Sequence, residues 1–224
     1  MTENATIPLP GGGSANAAVA LPPGNDKLAA VIVLHEWHGL NDEMKSRAEQ
    51  FASLGLVAIA IDLFGGKIAT DDAEAGKLAG EMKTAHSIEI IRAAVAWLKS
   101  HPRVNGKVAV SGFCLGGGQT LAAACNVEGL DAAVAFYGLP PEEWLDFGKT
   151  KTPILGHYAK VDAWIDPERV TKLAEKATAA GRSFEVHFYD GGHAFMRQSD
   201  PKVYHEASAK LAWDRTTAFL KKHL

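Results

Sequence analysis

The chain has little cysteine: only Cys114 and Cys125 occur in 224 residues. Two thiols do not make a disulfide framework in a chain of this length. No apolar stretch approaches the roughly 18 residues that cross a membrane, and no cluster of lysine or arginine marks a nucleic-acid-binding face. The opening MTENATIPLPGGGS lacks the basic start and apolar block of a signal peptide. We therefore expect a cytoplasmic protein with neither a membrane nor a nucleic-acid partner.

Six apolar runs predict the strands of a central sheet. They are LAAVIVL, LVAIAIDLF, KVAVS, LDAAVAFYG, PILGHYA and SFEVHFYD. The runs are continuous rather than alternating, which is typical of mostly parallel strands whose two faces are both covered by helices. Helical patterns lie between them, so we predict a single α/β domain over residues 1–224. Its first part, residues 1–27, is expected to form a hairpin-like extension.

A cysteine stands where the third of these runs meets a helix. The segment GFCLGG places Cys114 between a strand and a helix with glycines on both sides. This pattern predicts a nucleophile elbow, a sharp turn that lifts the side chain above the sheet. The helix N-terminus behind it favours a thiolate. Cys125 lies in the helical segment LAAACN, and we interpret it as a small buried hydrophobe.

Two further strand ends supply an acid and a histidine. Asp162 follows PILGHYA, and His193 follows SFEVHFYD. Because chemistry in open α/β sheets lies beyond the carboxyl ends of the strands, we expect both side chains near Cys114. The order nucleophile, acid, histidine is that of α/β-hydrolases. Asp166 and Asp190 compete for the acid role, but the first resembles a helix cap and the second lies only three residues before His193.

The segments GFCLGG, LHEWHGLN, DAWIDP and GGHAFMR together resemble the dienelactone hydrolase family. The resemblance covers the chain from about Leu28 onward. It implies an α/β-hydrolase fold without a large cap domain. It also implies a Cys-Asp-His triad that hydrolyses lactones or related esters. We expect the reaction to pass through a thioester acyl-enzyme and to need neither a cofactor nor a metal. The implied oxyanion hole uses the backbone N–H groups of Trp37 and Leu115. Glu36 and Arg197 match a glutamate beside the thiol and an arginine four residues after the histidine.

The substrate is less constrained than the triad. Members of the family that act on dienelactone carry a second arginine in a stretch like DLYAR, and this chain has DLFGGK there. Arg197 is expected either to bind a substrate carboxylate or to pair with Glu36. Either Glu36 or His193 can take the thiol proton. An aromatic substrate pocket is expected from the following residues: Trp37, Tyr137, Trp164 and Phe195.

The cysteine itself favours activated substrates. A thiolate leaves a tetrahedral intermediate more readily than an alkoxide, so an enol ester or enol-lactone proceeds to product while a plain ester reverts. The rival interpretations are an esterase for small neutral esters, a thiol-redox protein, a non-catalytic member of the fold and a metal site at His35 and His38. The spacing of HEWH differs from the zinc motif H-E-x-x-H. We expect a small-molecule ester or lactone as the partner, and a monomer or a small homo-oligomer.

Overall fold

A computed structural model describes all residues of the chain, 1–224, as eight β-strands and six α-helices. The strands are β1 (Glu3–Pro8), β2 (Ser14–Ala20), β3 (Leu28–Leu34), β4 (Val57–Ile61), β5 (Val104–Phe113), β6 (Ala132–Phe136), β7 (Ile154–Ala159) and β8 (Phe184–Tyr189). The helices are α1 (Asp42–Ser53), α2 (Asp72–Glu81), α3 (Thr84–Ser100), α4 (Leu115–Asn126), α5 (Pro167–Ala179) and α6 (Glu206–His223).

All eight strands form one sheet in the order β1-β2-β4-β3-β5-β6-β7-β8. The six strands β3 to β8 run parallel to one another, whereas β1 pairs antiparallel with β2. Strand β2 also pairs antiparallel with β4. Strands β1 and β2, within residues 1–27, thus form an antiparallel hairpin whose second strand extends the main sheet next to β4.

The helices cover the sheet from both sides, as the continuous apolar strands predicted. Along β3, Ile32 belongs to a core shared with α2, α3, α4 and α5. Its neighbours Val31 and Val33 belong to a second core shared with α1 and α6. Successive strand residues point to opposite faces, so each parallel strand buries apolar side chains in both layers.

Local sequence signals set most helix boundaries. Asn41 caps α1 by accepting a hydrogen bond from the backbone N–H of Met44, and Pro167 occupies the first turn of α5. The sequence patterns did not predict α2. That helix carries only two buried residues, Ala75 and Leu78, so its apolar stripe is too thin to be read from periodicity.

The layers, strand order and connections are those of an α/β-hydrolase without a large cap domain. Helices α2 and α3 follow β4, a short 3₁₀ helix (Glu142–Trp144) lies in the loop after β6, and β8 is followed by loops and turns before α6. None of the helices combines the length and apolar character that a membrane crossing needs.

Candidate active site

The predicted elbow is present between β5 and α4. Cys114 has φ 52° and ψ −115°, a backbone conformation that side-chain-bearing residues rarely adopt. The turn is tight enough that a Cβ on Gly116 would collide with the Leu34 carbonyl oxygen. Absence of a side chain there lets the start of α4 approach the end of β3, and the backbone N–H of Gly116 donates to the His35 carbonyl at 3.1 Å.

Asp162 holds the histidine. Its carboxylate lies 2.9 and 3.1 Å from Nδ1 of His193 and is almost fully buried. Oxygen Oδ1 also accepts hydrogen bonds from the backbone N–H groups of Trp164 and Ile165. Burial by itself raises the pKa of Asp162, but the hydrogen bond with His193 and those two N–H groups lower it below its usual value.

His193 reaches the cysteine with its other ring nitrogen. Nε2 lies 3.1 Å from the sulfur of Cys114. Burial lowers the pKa of His193, but hydrogen bonds and charge interactions with Asp162 and Cys114 outweigh it and raise that pKa to about 9. A raised pKa makes the imidazole a stronger base, which suits removal of a proton from the thiol.

The two competing aspartates have other partners. Asp166 caps α5 by accepting a hydrogen bond from the backbone N–H of Glu168. Asp190 is exposed and forms an ion pair with Lys160 at 2.8 Å. Only Asp162 among the three contacts His193.

Glu36 and Arg197 form an ion pair beside the triad. Nε of Arg197 donates to Oε2 of Glu36 at 2.6 Å, and the hydroxyl of Tyr137 donates to Oε1 at 3.1 Å. The carboxylate is buried, and its hydrogen bonds do not include the sulfur of Cys114. The geometry therefore favours the second expectation for Arg197, pairing with Glu36, and it favours His193 as the proton acceptor.

Trp37 and Leu115 are the residues predicted to form an oxyanion hole. Both line the same pocket as Cys114. Neither backbone N–H donates to another group among the turn, loop and side-chain hydrogen bonds of the chain. Two free donors beside a nucleophile can stabilise the negative charge that develops on a substrate carbonyl oxygen.

The pocket above the cysteine has a volume of about 360 Å³ and is mainly apolar. Its hydrophobic wall consists of Trp37, Leu115, Leu139, Trp164, Ile165 and Val203. Trp164 is 71% exposed and packs edge-on against Trp37 at the rim. Phe195 does not line this pocket, contrary to expectation. Its side chain is fully buried and packs beneath Tyr137, with ring centroids 5.3 Å apart.

Five pocket residues were not predicted from the sequence: Gly138, Leu139, Ile165, Ala194 and Val203. Leu139 and Ile165 lie two residues after Tyr137 and three after Asp162, so proximity to the strand ends was a usable signal. Val203 lies in the loop before α6, and no local pattern marks it. Tyr137 was identified, but its side chain is only 1% exposed, and its hydroxyl contacts Glu36.

The site also concentrates unusual backbone geometry. Three residues other than glycine have a positive φ: Cys114 at 52°, Tyr137 at 38° and Ala194 at 62°. All three line the pocket. Such conformations persist only where the surrounding structure imposes them, and they cluster at functional sites.

The histidines of HEWH do not converge on a common point. His35 is buried and bonds within the protein, whereas His38 lies 3.4 Å from Asp72 near the surface. Nowhere in the chain do three or more histidine, cysteine, aspartate or glutamate side chains come together in a way that could hold a metal ion.

Fold and site together define an α/β-hydrolase with cysteine at its elbow. The model of the dienelactone hydrolase family matches residues 15–224, and the chain belongs to that family and is a hydrolase. It is 36% identical over 203 residues to "Protein usf" of Aquifex pyrophilus, covering 87% of this chain and 88% of the relative. It is 32% identical over 233 residues to carboxymethylenebutenolidase of Pseudomonas sp. strain P51, covering 99% and 96%.

A solved structure agrees closely with the fold. The putative dienelactone hydrolase of Klebsiella pneumoniae superimposes with a TM-score of 0.88 at 27% identity, covering 97% of both chains.

Proposed function

We propose that this hydrolase cleaves activated esters or lactones through Cys114 and a thioester acyl-enzyme. The observation that carries the proposal is the unbroken chain of contacts from Asp162 through His193 to the sulfur, at 2.9 and 3.1 Å. The Pseudomonas relative, named carboxymethylenebutenolidase, supports the same class of substrate.

The first half-reaction forms the acyl-enzyme. Nε2 of His193 takes the proton of the Cys114 thiol, and the sulfur bonds to the substrate carbonyl carbon. The carbonyl oxygen becomes an oxyanion between the N–H groups of Trp37 and Leu115. When the carbonyl re-forms, the bond to the leaving oxygen breaks, and His193 returns its proton to that oxygen. Asp162 holds the ring in the correct tautomer and stabilises the imidazolium throughout.

The second half-reaction releases the acid. His193 removes a proton from water, and the resulting hydroxide attacks the thioester carbonyl. The same two N–H groups hold the second oxyanion. The carbon–sulfur bond then breaks, and the thiolate recovers the proton from His193. Ester or lactone plus water therefore gives acid plus alcohol, and the enzyme is unchanged.

The charges around the pocket favour neutral substrates over acidic ones. Arg197 is the pocket's only arginine or lysine, and its charge is matched by Glu36 at 2.6 Å. Lys67, in the loop that lacks the second arginine, lines a different pocket with Asn16 and Lys45. A carboxylate would have to compete with Glu36 for one guanidinium. We therefore propose small neutral activated esters or lactones as preferred substrates, with acidic enol-lactones second.

Cys125 does not support a redox function. It is the eleventh residue of α4, which places it about 16 Å along the helix from Cys114 at 1.5 Å per residue. Disulfide formation needs Cα atoms within about 7 Å. Burial, followed by the charge of Asp146, raises the pKa of Cys125 to about 11, so this thiol is inert.

Trapping of the acyl group tests the proposal. Wild-type protein mixed with 4-nitrophenyl acetate and quenched in acid should gain the mass of one acetyl group on the peptide that contains Cys114. Cys125→Ala is the matched control and should acylate like wild type, whereas Cys114→Ala should not acylate. Turnover by folded Cys114→Ala at the wild-type rate would remove the nucleophile and the proposed mechanism with it.

A further inference from the structure

His35 is a buried histidine whose two ring nitrogens have definite roles. It follows β3 directly and has no exposed surface. Nδ1 lies 2.6 Å from the carbonyl oxygen of Glu36, and Nε2 lies 3.0 Å from the backbone nitrogen of Leu63. A carbonyl can only accept and an N–H can only donate. The ring is therefore neutral, with its proton on Nδ1, and Nε2 accepts from the loop after β4.

The hydrogen bond to Glu36 controls a neighbouring donor. The carbonyl of Glu36 and the N–H of Trp37 belong to one peptide group, which is planar and trans, so they point in opposite directions. The same carbonyl also accepts a hydrogen bond from the backbone N–H of Gly39 at 3.2 Å. Two donors holding the oxygen from one side fix the direction in which the N–H of Trp37 points on the other.

The backbone of His35 also connects to the second donor. Its carbonyl accepts a hydrogen bond from the N–H of Gly116 at 3.1 Å, and Gly116 directly follows Leu115. The residue thus joins three segments: the end of β3, the loop after β4 and the first turn of α4. Its ring further packs edge-on against Phe64 with centroids 4.7 Å apart.

We propose that His35 is a positioning residue of the oxyanion hole: its Nδ1–H, by holding the Glu36 carbonyl, aims the Trp37 N–H at the oxyanion. This inference rests on the proposed function, because it requires that Trp37 and Leu115 hold the oxyanion. His35 touches neither substrate nor sulfur and acts only through the peptide group that it orients.

The expected effect is on turnover rather than on substrate binding. Full loss of one oxyanion donor costs roughly 10²- to 10³-fold in kcat. Misdirection of a donor that is still present costs less, so we expect about 10- to 100-fold. The contact strengthens only as charge develops on the oxygen, so KM should change little.

Two variants of His35 and one control separate positioning from general stability. His35→Phe keeps a flat ring but loses both hydrogen bonds, and it should lower kcat for 4-nitrophenyl acetate by about 10- to 100-fold. His35→Gln carries one donor and one acceptor in its amide and should retain kcat within about threefold. The control is His157→Phe, because His157 is also fully buried with both ring nitrogens bonded, to Tyr189 and Thr216. It should lose stability and keep kcat.

A trifluoromethyl ketone gives a readout specific to the oxyanion. It forms a hemithioketal with Cys114 whose oxyanion occupies the hole, whereas acetamide, a neutral analogue of the product, brings no negative charge to the hole. His35→Phe should weaken binding of the ketone by about tenfold or more and leave inhibition by acetamide unchanged. If His35→Phe does not fold, His35→Asn replaces it. The asparagine amide can still donate a hydrogen bond to the Glu36 carbonyl, but it is too short to accept one from the N–H of Leu63. That variant should keep both kcat and ketone binding.

The two possible failures are distinguishable. If wild-type protein does not hydrolyse 4-nitrophenyl acetate, or if Cys114→Ala does so at the wild-type rate, the proposed function fails and the role of His35 fails with it. If hydrolysis depends on Cys114 but His35→Phe and His157→Phe lose kcat equally, only the role of His35 is overturned. The role of His35 is also overturned if His35→Asn loses kcat while its binding of the ketone is unchanged.

Discussion

Replacement of Asp162 by asparagine tests how the triad sets the proton on His193. In the wild type, Oδ1 of Asp162 accepts hydrogen bonds from the backbone N–H groups of Trp164 and Ile165 at 2.8 and 3.1 Å. The side-chain oxygen of asparagine can accept the same two hydrogen bonds. Its NH₂ group then faces Nδ1 of His193 as a donor. The ring must place its own proton on Nε2, which faces the sulfur of Cys114, and in that tautomer it cannot accept the proton of the thiol.

The magnitude follows from the pKa of His193, which is about 9 in place of the usual 6.5. One pKa unit corresponds to 1.36 kcal/mol, so the imidazolium is favoured by about 3 kcal/mol, a share of which comes from Cys114. That alone is worth about 10²-fold in rate, and the wrong tautomer adds to it. We expect kcat for 4-nitrophenyl acetate to fall by roughly 10²- to 10⁴-fold.

Asp166→Asn and Asp190→Asn are the matched controls. The first replaces a cap of α5 by another good cap, and the second loses an exposed ion pair with Lys160. Both should keep kcat within about twofold. Stopped-flow release of 4-nitrophenolate measures all three variants. If Asp162→Asn retains more than a tenth of wild-type kcat, or if a control loses as much, the assignment of the acid is wrong.

The same pair makes the stability depend on pH. The folded-state pKa of His193 is raised, so its contribution is fully present below pH 6.5 and is lost as the pH rises through about 9. The folded-state pKa of Asp162 is lowered, so its contribution is present above its ordinary value of 3.8 and is lost as the pH falls through the lower folded value. The difference in unfolding free energy between wild type and Asp162→Asn should therefore be largest between about pH 4 and 6.5, as measured by urea denaturation. A difference that grows above pH 9 would contradict this reasoning.

Three further outcomes are expected. Iodoacetamide should modify Cys114 well before Cys125, because the latter is 4% exposed and has a pKa of about 11; equal rates by peptide mass spectrometry would count against an activated thiol. Arg197→Ala should lower the thermal midpoint by several degrees and affect KM for an acidic lactone and for a neutral ester alike, because Glu36 already matches the guanidinium charge; a rise in KM confined to the acidic lactone would show that Arg197 binds a substrate carboxylate. Gly116→Ala should abolish turnover, because its methyl group meets the Leu34 carbonyl; wild-type kcat would show that the elbow can open without loss.

The sequence predicted the layers of the fold because parallel strands leave a strong local signal. Each of the six apolar runs became a strand, since a strand covered on both faces has mostly apolar positions; the exposed charged side chains in these strands are Lys107 in β5 and Glu185 in the edge strand β8. Residues 1–27 were harder, because the pairing of Ala17 with Ile61 joins segments distant in sequence, and no local pattern records it.

The residues of the site also divide into those with a local sequence signal and those without one. Cys114, Asp162 and His193 could be located because each lies just beyond a strand, where the topology brings the chain ends together. The burial of Phe195 could not be predicted from the sequence, because His193 and Phe195 are two residues apart on a loop without regular periodicity. The left-handed conformation of Ala194 between them, with φ 62°, turns the one side chain to the pocket and the other to the core.

The positive φ angles at Cys114, Tyr137 and Ala194 imply a trade-off between stability and activity at this site. A left-handed residue with a side chain costs roughly 1–2 kcal/mol relative to a relaxed conformation, and glycine would relieve that cost. At Cys114 the relief would remove the nucleophile, and at Tyr137 it would remove the hydroxyl that contacts Glu36. Only at Ala194 would glycine relieve the conformational strain without removing a reacting or hydrogen-bonding group. Ala194 is therefore the one position of the three where glycine would relieve strain without such a loss, whereas the strain at Cys114 and Tyr137 comes with the nucleophile and with a large buried side chain that the fold needs.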